Sequence, residues 1–309
     1  MKKLNLKEAA LMVGATAFAV VTLTSCNNDE EVLNQVEQSR GVTAPVRVQV
    51  NDFAMSVGDI PKAQTRTTMD PAEYKNVGAI TLAFYAADGT KMYADTQLKE
   101  GDTHYTTFGT FSCNLPVGSY TMLVIARDSL TDDVFKLNSL TEAGFTSEKV
   151  RETFCKTQNV SVTSSTPLDL SITLNRIVPQ LSICSTDPRP TGVGKIRTTY
   201  SAGYKSFNPT TGLGIGNAGF SLINTPSAAV GKVVEFRNNT YLATDEQTMT
   251  ITLDVLDAED HVLISKVIPN VPLKRNRRTV LRGPLFTPSA STVSFQLEIS
   301  WLDDVTVNF

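Results

Sequence analysis

From Val42 onward apolar residues fall at every second position, with Val42, Ala44, Val46, Val48 and Val50 alternating with Thr43, Pro45, Arg47 and Gln49. A period of two sets one row of side chains on one face of an extended chain, so the segment predicts a strand with one buried face. Pro45 has no N–H to give to a ladder and predicts that this strand lies at a sheet edge. Runs rich in Val, Ile, Thr and aromatics predict further strands at 79–85, 120–127, 168–174, 180–183, 232–236, 248–256, 262–268, 279–285 and 293–301. Turn signals such as Ala87-Asp88-Gly89, Pro116-Val117-Gly118 and Pro269-Asn270 separate them. The exception is 141–155, where Phe145, Val150 and Phe154 fit one side of a short helix. Many short strands without alternating helices predict an all-β chain built of sandwiches.

The turn-rich run Thr163-Ser164-Ser165-Thr166-Pro167 precedes one strand, and a second apolar start follows at Ile177, which places a domain boundary near Asn175. About 270 residues lie beyond Arg40, enough for two domains that each bury a core. Between Ser185 and Gly219 the chain turns to Gly, Pro, Thr, Ser and Asn, predicting a long surface excursion.

The N-terminus follows another rule. Lys2, Lys3 and Lys7 precede an apolar run from Ala9 to Leu23, and small residues lead up to Cys26, the layout of a signal peptide over residues 1–25. The run is short of the roughly 20 residues a spanning helix needs, so it is not read as a retained anchor. Leu23-Thr24-Ser25-Cys26 resembles the lipobox of bacterial lipoproteins, which makes Cys26 the expected lipidated first residue of the mature chain. The acidic run Asn27-Asn28-Asp29-Glu30-Glu31 resembles an export signal to the outer face of the cell.

Charge and side-chain inventory narrow the function. With 28 Lys and Arg against 31 Asp and Glu the net charge is -3, which argues against a nucleic-acid partner, since that needs a basic field to replace phosphate counterions. Besides Cys26 there are Cys113, Cys155 and Cys184, so one disulfide at most forms; Cys113 with Cys155, or three thiols packed as small hydrophobes, both fit. The two histidines, His104 and His261, sit in no catalytic or zinc signature and are read as exposed or hydrogen-bonded structural residues. Gly214-Ile-Gly216-Asn-Ala-Gly219 matches a dinucleotide fingerprint in letters only, because a strand-like run and not a helix follows it. Lys274, Arg275, Arg277, Arg278 and Arg282 read as a solvated turn between strands, with contact to an acidic surface or glycan as the alternative. Trp301, on a strand, reads as core. No catalytic residue, cofactor or metal ligand is predicted.

In order and local pattern the chain resembles the fimbrillins, lipoprotein precursors of the type V fimbriae of Gram-negative anaerobes. The resemblance rests on the lipobox at Cys26 and the strand 42–50, then the Arg-containing linker Ala63-Gln-Thr-Arg66-Thr-Thr and the first domain strand Val77 to Tyr85 with Asp88-Gly89. It continues in Leu115-Pro-Val-Gly-Ser-Tyr120, Leu174-Asn-Arg-Ile-Val178, Val271 to Thr279 and the closing Ile299-Ser-Trp301. It implies two tandem transthyretin-like Greek-key sandwiches, a lipidated N-terminal segment at 26–66, an N-terminal domain at 67–174 and a C-terminal domain at 175–309. It implies a surface-exposed outer-membrane precursor, cut by a trypsin-like Arg-specific protease and then polymerised with its own kind and other fimbrial subunits as the freed groove accepts a neighbour's C-terminal strand. A fimbrial anchor or a glycan-binding surface lipoprotein that does not polymerise is the alternative.

Three arginines compete as the cut site. A cut after Arg40 leaves the alternating strand attached, and one after Arg47 falls inside it, where paired backbone resists proteolysis. Arg66 is therefore the expected site, with Val42, Val46, Val48 and Val50 on the released strand. The expected donor is the tail, with Val305, Val307 and Phe309 alternating. Asp128-Ser129-Leu130 resembles a short O-glycosylation acceptor at Ser129, although Asp and Ser are also ordinary turn residues.

Overall fold

The computed structural model describes residues 42–56, 66–67, 71–128, 134–164, 166–288 and 296–300. Strands occur throughout these segments and no helix does. The first six strands are β1 Thr43–Ser56, β2 Arg66–Thr67, β3 Ala79–Ala86, β4 Lys91–Leu98, β5 Thr110–Pro116 and β6 Gly118–Arg127. There follow β7 Phe135–Ser139, β8 Glu142–Phe145, β9 Thr153–Val162, β10 Leu168–Arg176, β11 Gln180–Ser185, β12 Lys195–Tyr200 and β13 Ser206–Asn208. The remainder are β14 Leu213–Ile215, β15 Phe220–Asn224, β16 Glu235–Asn239, β17 Glu246–Leu256, β18 Val262–Lys274, β19 Arg278–Gly283 and β20 Gln296–Ser300.

One large sheet runs β2-β1-β10-β9-β6-β3-β4, with β5 on the other side of β1. Its central strands β3 and β6 read as nearly unbroken apolar runs because both faces are covered. Ile80, Leu82 and Phe84 with Met122, Val124 and Ala126 face a core that also takes the inward residues of β1 and β10. Ala83, Tyr85, Leu123 and Ile125 face the opposite way, into a second cluster with Phe135, Phe145, Phe207 and Tyr241. A third core lies between the sheets β16-β11-β19-β20 and β15-β12-β17-β18.

The segments before and after Asn175 are knitted together. β8 pairs with β13 in the small sheet β14-β13-β8-β7, with Gly144 opposite Ser206. A Cβ on Gly144 would come within 2.7 Å of the Ser206 Cα and 2.8 Å of the Lys205 carbonyl oxygen, so the contact requires glycine.

Four expectations are corrected. The helix at 141–155 is instead β8, an isolated bridge from Val150 to Asn239, and the start of β9. Phe145 and Val150 enter one core and Phe154 another, so the helical spacing is coincidental. The excursion at 185–219 holds β12, β13 and β14, with Ile196, Tyr200 and Phe207 fully buried among polar neighbours that hid their alternation. The basic turn is less solvated than expected. Arg278 is buried with its Nε donating to Gln180 Oε1 at 2.7 Å, and Arg275 pairs with Asp245 at 2.9 Å. Finally, β1 is not an edge strand. Over Val46 to Gln49 it is paired on both sides, antiparallel to β5 and parallel to β10. Pro45 is tolerated because the β10 ladder begins one residue later, at Val46 opposite Leu168.

Candidate functional site

The most distinctive construction in the molecule is the slot that holds β1. Ala44, Val46, Val48, Val50 and Phe53 are 0–3 % exposed, while Thr43, Pro45, Arg47 and Gln49 face solvent. On one side the ladder runs from Thr43 opposite Pro116 to Gln49 opposite Thr110, extended by Val117 N–H donating to the Val42 carbonyl at 2.9 Å. On the other it runs from Val46 opposite Leu168 to Ala54 opposite Asn175, with a bulge between Val50 and Asp52. The extra residue is Asn51, whose side-chain amide donates to Ser171 Oγ on β10. The bulge shifts the inward row by one residue, so Phe53, and not Asp52, points into the core.

Phe53 closes the slot at an aromatic corner. Its ring centroid lies 4.7 Å from Phe154 and 5.6 Å from Tyr74, and Tyr74 meets Phe154 edge-on at 5.7 Å. The Arg176 guanidinium sits over the Phe154 ring at 4.9 Å and pairs with Glu152 at 2.6 Å. Tyr74 Oη donates to Glu152 Oε1 at 2.8 Å and accepts from Arg176 Nη2 at 2.8 Å, while Arg176 Nη1 donates to Asn276 Oδ1 at 3.1 Å. Burial first, and the Glu152 charge second, raise the Tyr74 phenol well above its ordinary pKa, so it remains a donor. Tyr74, Glu152 and Arg176 carry no periodicity signal, and the spacing that marks Phe154 points to a helix that does not form.

Magnitudes show what β1 contributes. Full burial of a Val or Phe side chain is worth roughly 1.5–3 kcal/mol, so the inward row of β1 supplies on the order of 10 kcal/mol. That is comparable to the whole net stability of a typical domain, about 5–15 kcal/mol. Loss of β1 without a replacement would therefore cancel most of that stability.

Val42 precedes β1 and is 41 % exposed, so it adds nothing to the inward row. Arg66 lies on β2, where Ser56 pairs with Arg66 and Met55 with Thr67, and not in an unpaired linker. A two-residue ladder is the least a strand can have and opens at small cost. Cys26, Arg40, Ser129, Trp301, Val305, Val307 and Phe309 lie outside the described residues. Cys113, Cys155 and Cys184 are free, so the Cys113–Cys155 disulfide is not formed. Burial pushes the Cys155 thiol up to about 12, and its Sγ donates to the Pro209 carbonyl at 3.4 Å. The glycine run at 214–219 leads from β14 into β15, with Gly216 and Gly219 at φ of 90° and 84°, and offers no helix N-terminus to a phosphate. Among the described residues no group of three His, Cys, Asp or Glu is placed to hold a metal.

Beside β1, Arg47, Tyr93, Asp95, His104 and Tyr105 line an open cleft of about 700 Å³. His104 is held between Asp102, at 2.5 Å from Nδ1, and Asp95, at 3.1 Å from Nε2. The bond to Asp102, and then that to Asp95, raise the His104 pKa above the ordinary value. A raised pKa in the folded state favours folding when the ring is charged, and this contribution fades as pH rises through the folded-state pKa. Imidazole NMR should find His104 titrating above about 6.5. Asp102→Asn should lower it, and an unchanged midpoint would remove Asp102 as the cause.

A model of a family of unknown function, DUF6562, matches residues 42–305, so the match opens at the residue before β1. No functionally curated protein matches the sequence. Among solved structures, a candidate adhesin from Bacteroides ovatus aligns with a TM-score of 0.51 at 12 % identity over 85 % of this chain and 97 % of its own. The fimbrial anchor protein Mfa2 from Porphyromonas gingivalis aligns with a TM-score of 0.50 at 11 % identity over 84 % of this chain and 98 % of its own. At such identity the likeness is one of fold, and the all-β fold here is one shared with a fimbrial protein.

Proposed function

Because the chain belongs to the DUF6562 family and carries a buried, doubly paired strand just ahead of an arginine, we propose that it is a structural, non-enzymatic component of a surface fimbria. On this reading residues 67–174 and 175–309 are tandem transthyretin-like domains, and the chain travels as an outer-membrane lipoprotein precursor. A trypsin-like protease cuts after Arg66, β1 leaves, and the C-terminal strand of another subunit, with Val305, Val307 and Phe309 facing inward, fills the slot. The observation that carries the reading is β1 itself. A strand near the chain start, covalently joined to the rest only through 57–65, supplies an inward row that can be exchanged without rebuilding the sheet. An open sheet edge is ordinarily a hazard; here it becomes the assembly signal.

The fold likeness to a fimbrial anchor favours a second reading, in which the chain keeps β1 and caps one end of the fibre. Antibody labelling of surface fibres separates the two: label along the shaft fits a polymerising subunit, and label at one end only fits an anchor. Either role begins with lipidation of Cys26, since each buried acyl CH₂ adds about 0.8 kcal/mol and two or more chains give firm anchoring. Cys26→Ser should move the chain from membrane to soluble fractions. Unchanged fractionation would remove the lipid from the account.

A further inference from the structure

The last five residues of the chain repeat the part of β1 that fills the deep end of the slot. The tail reads Val305-Thr306-Val307-Asn308-Phe309, and β1 reads Val48-Gln49-Val50-Asn51-Asp52-Phe53. With Asp52 set aside, the Val, Val, Asn and Phe positions coincide, and the one mismatch, Thr306 for Gln49, falls on the solvent-facing row. The residue omitted lies where the register of β1 against β10 shifts, so its loss falls at the point where a strand tolerates a change in residue count.

Resting on the reading that β1 is the segment that leaves, we infer that the slot is self-complementary and that the tail of a second copy enters it in one register: Val305 at Val48, Val307 at Val50, Asn308 in the single place that Asn51 and Asp52 share, and Phe309 at Phe53. Each position has a partner in the slot. Val48 stands between Phe111 and Leu170, and Val50 opposite Ile172. Asn51 donates to Ser171 Oγ on the solvent-facing side, and the tail, one residue shorter, sets Asn308 opposite Thr173 on that side. The Tyr74–Phe154 corner, held by Glu152 and Arg176, is the selectivity pocket for the terminal Phe. The donor runs as β1 does, parallel to β10 and antiparallel to β5.

A one-residue slip, and a two-residue slip toward the start of β1, fail on physical grounds. A one-residue slip turns the apolar row to solvent. A two-residue slip drives Phe309 into the position of Val50, which is 3 % exposed and sized for a smaller side chain. The match also has a defined end, because Asp303 and Asp304 would fall at Val46 and Arg47. Val46 is 1 % exposed and cannot take a carboxylate, so the donor leaves the slot at that level.

The test uses a variant ending at Asp304, so that no tail competes, before and after the cut at Arg66. A fluorescent peptide of residues 300–309 is titrated against both forms, beside a β1 peptide of residues 42–56. The tail peptide should bind the cut form and not the uncut one. Its Phe309→Ala version should bind at least about tenfold more weakly and its Thr306→Ala version within about twofold, as burial of a large aromatic against an exposed residue requires. A version with Asp inserted between Asn308 and Phe309 should bind about as well as the parent, a result peculiar to this register. If Phe309→Ala binds like the parent, or the insertion abolishes binding, the register is wrong. Binding of the β1 peptide without the tail peptide would overturn self-complementarity and leave the released-strand reading intact. Binding of neither would overturn the released-strand reading itself.

Discussion

Mild trypsin should cut the purified precursor after Arg66 and turn a monomer into a ladder of oligomers, whereas Arg66→Ala or removal of residues 305–309 should leave monomers. The expected effect is close to all or none. Before the cut, β1 is tethered at its C-terminal end and its effective concentration at the slot excludes any strand from another molecule. After the cut the tether is gone, and the on the order of 10 kcal/mol contributed by the inward row is open to a competing strand. Size-exclusion chromatography reads the result. Oligomers formed by the Arg66→Ala chain would dismiss Arg66 as the switch, whereas a parent chain that stays monomeric after the cut would favour the end-capping role.

Phe53→Ala in the uncut precursor should be the most damaging single truncation on β1. Phe53 is fully buried, contacts two aromatic rings and faces Tyr74, whose hydroxyl is committed to Glu152 and Arg176. Truncating a buried Phe to Ala costs about 3–5 kcal/mol. In a chain of this size that lowers the melting temperature by roughly 10 °C, taking about 2–4 °C per kcal/mol. Arg47→Ala, on the same strand but facing solvent, should fall within about 0.5 kcal/mol of the parent. Thermal unfolding of the two side by side decides the matter. Equal melting temperatures would mean that Phe53 is not packed as described.

What the sequence makes visible follows from which signals survive in one dimension. β3 and β6 are evident because both faces are covered and the apolar run is nearly continuous. β1 is evident over Val46 to Val50 by strict alternation, yet Phe53 is invisible, because the bulge at Asn51 puts it out of phase with the row it belongs to. Pro45 misleads for a related reason: it marks the end of one ladder, not the absence of a neighbour. β5 and β12 escape notice because half their residues are polar and their buried members are few. The false helix at 141–155 arises where the chain dips into two cores in succession, giving apolar spacing that no single face explains. The aromatic corner is assembled from Phe53, Tyr74, Phe154 and Arg176, far apart in sequence, and only the fold brings them together.

Whether β1 is a temporary occupant of its slot is decided by the N-terminal residue of the chain recovered from assembled surface fibres. That residue should be Thr67, with residues 26–66 absent from the fibre. Fibre subunits that begin at the modified Cys26, or at Gly41 after a cut at Arg40, would still carry β1 and would contradict it.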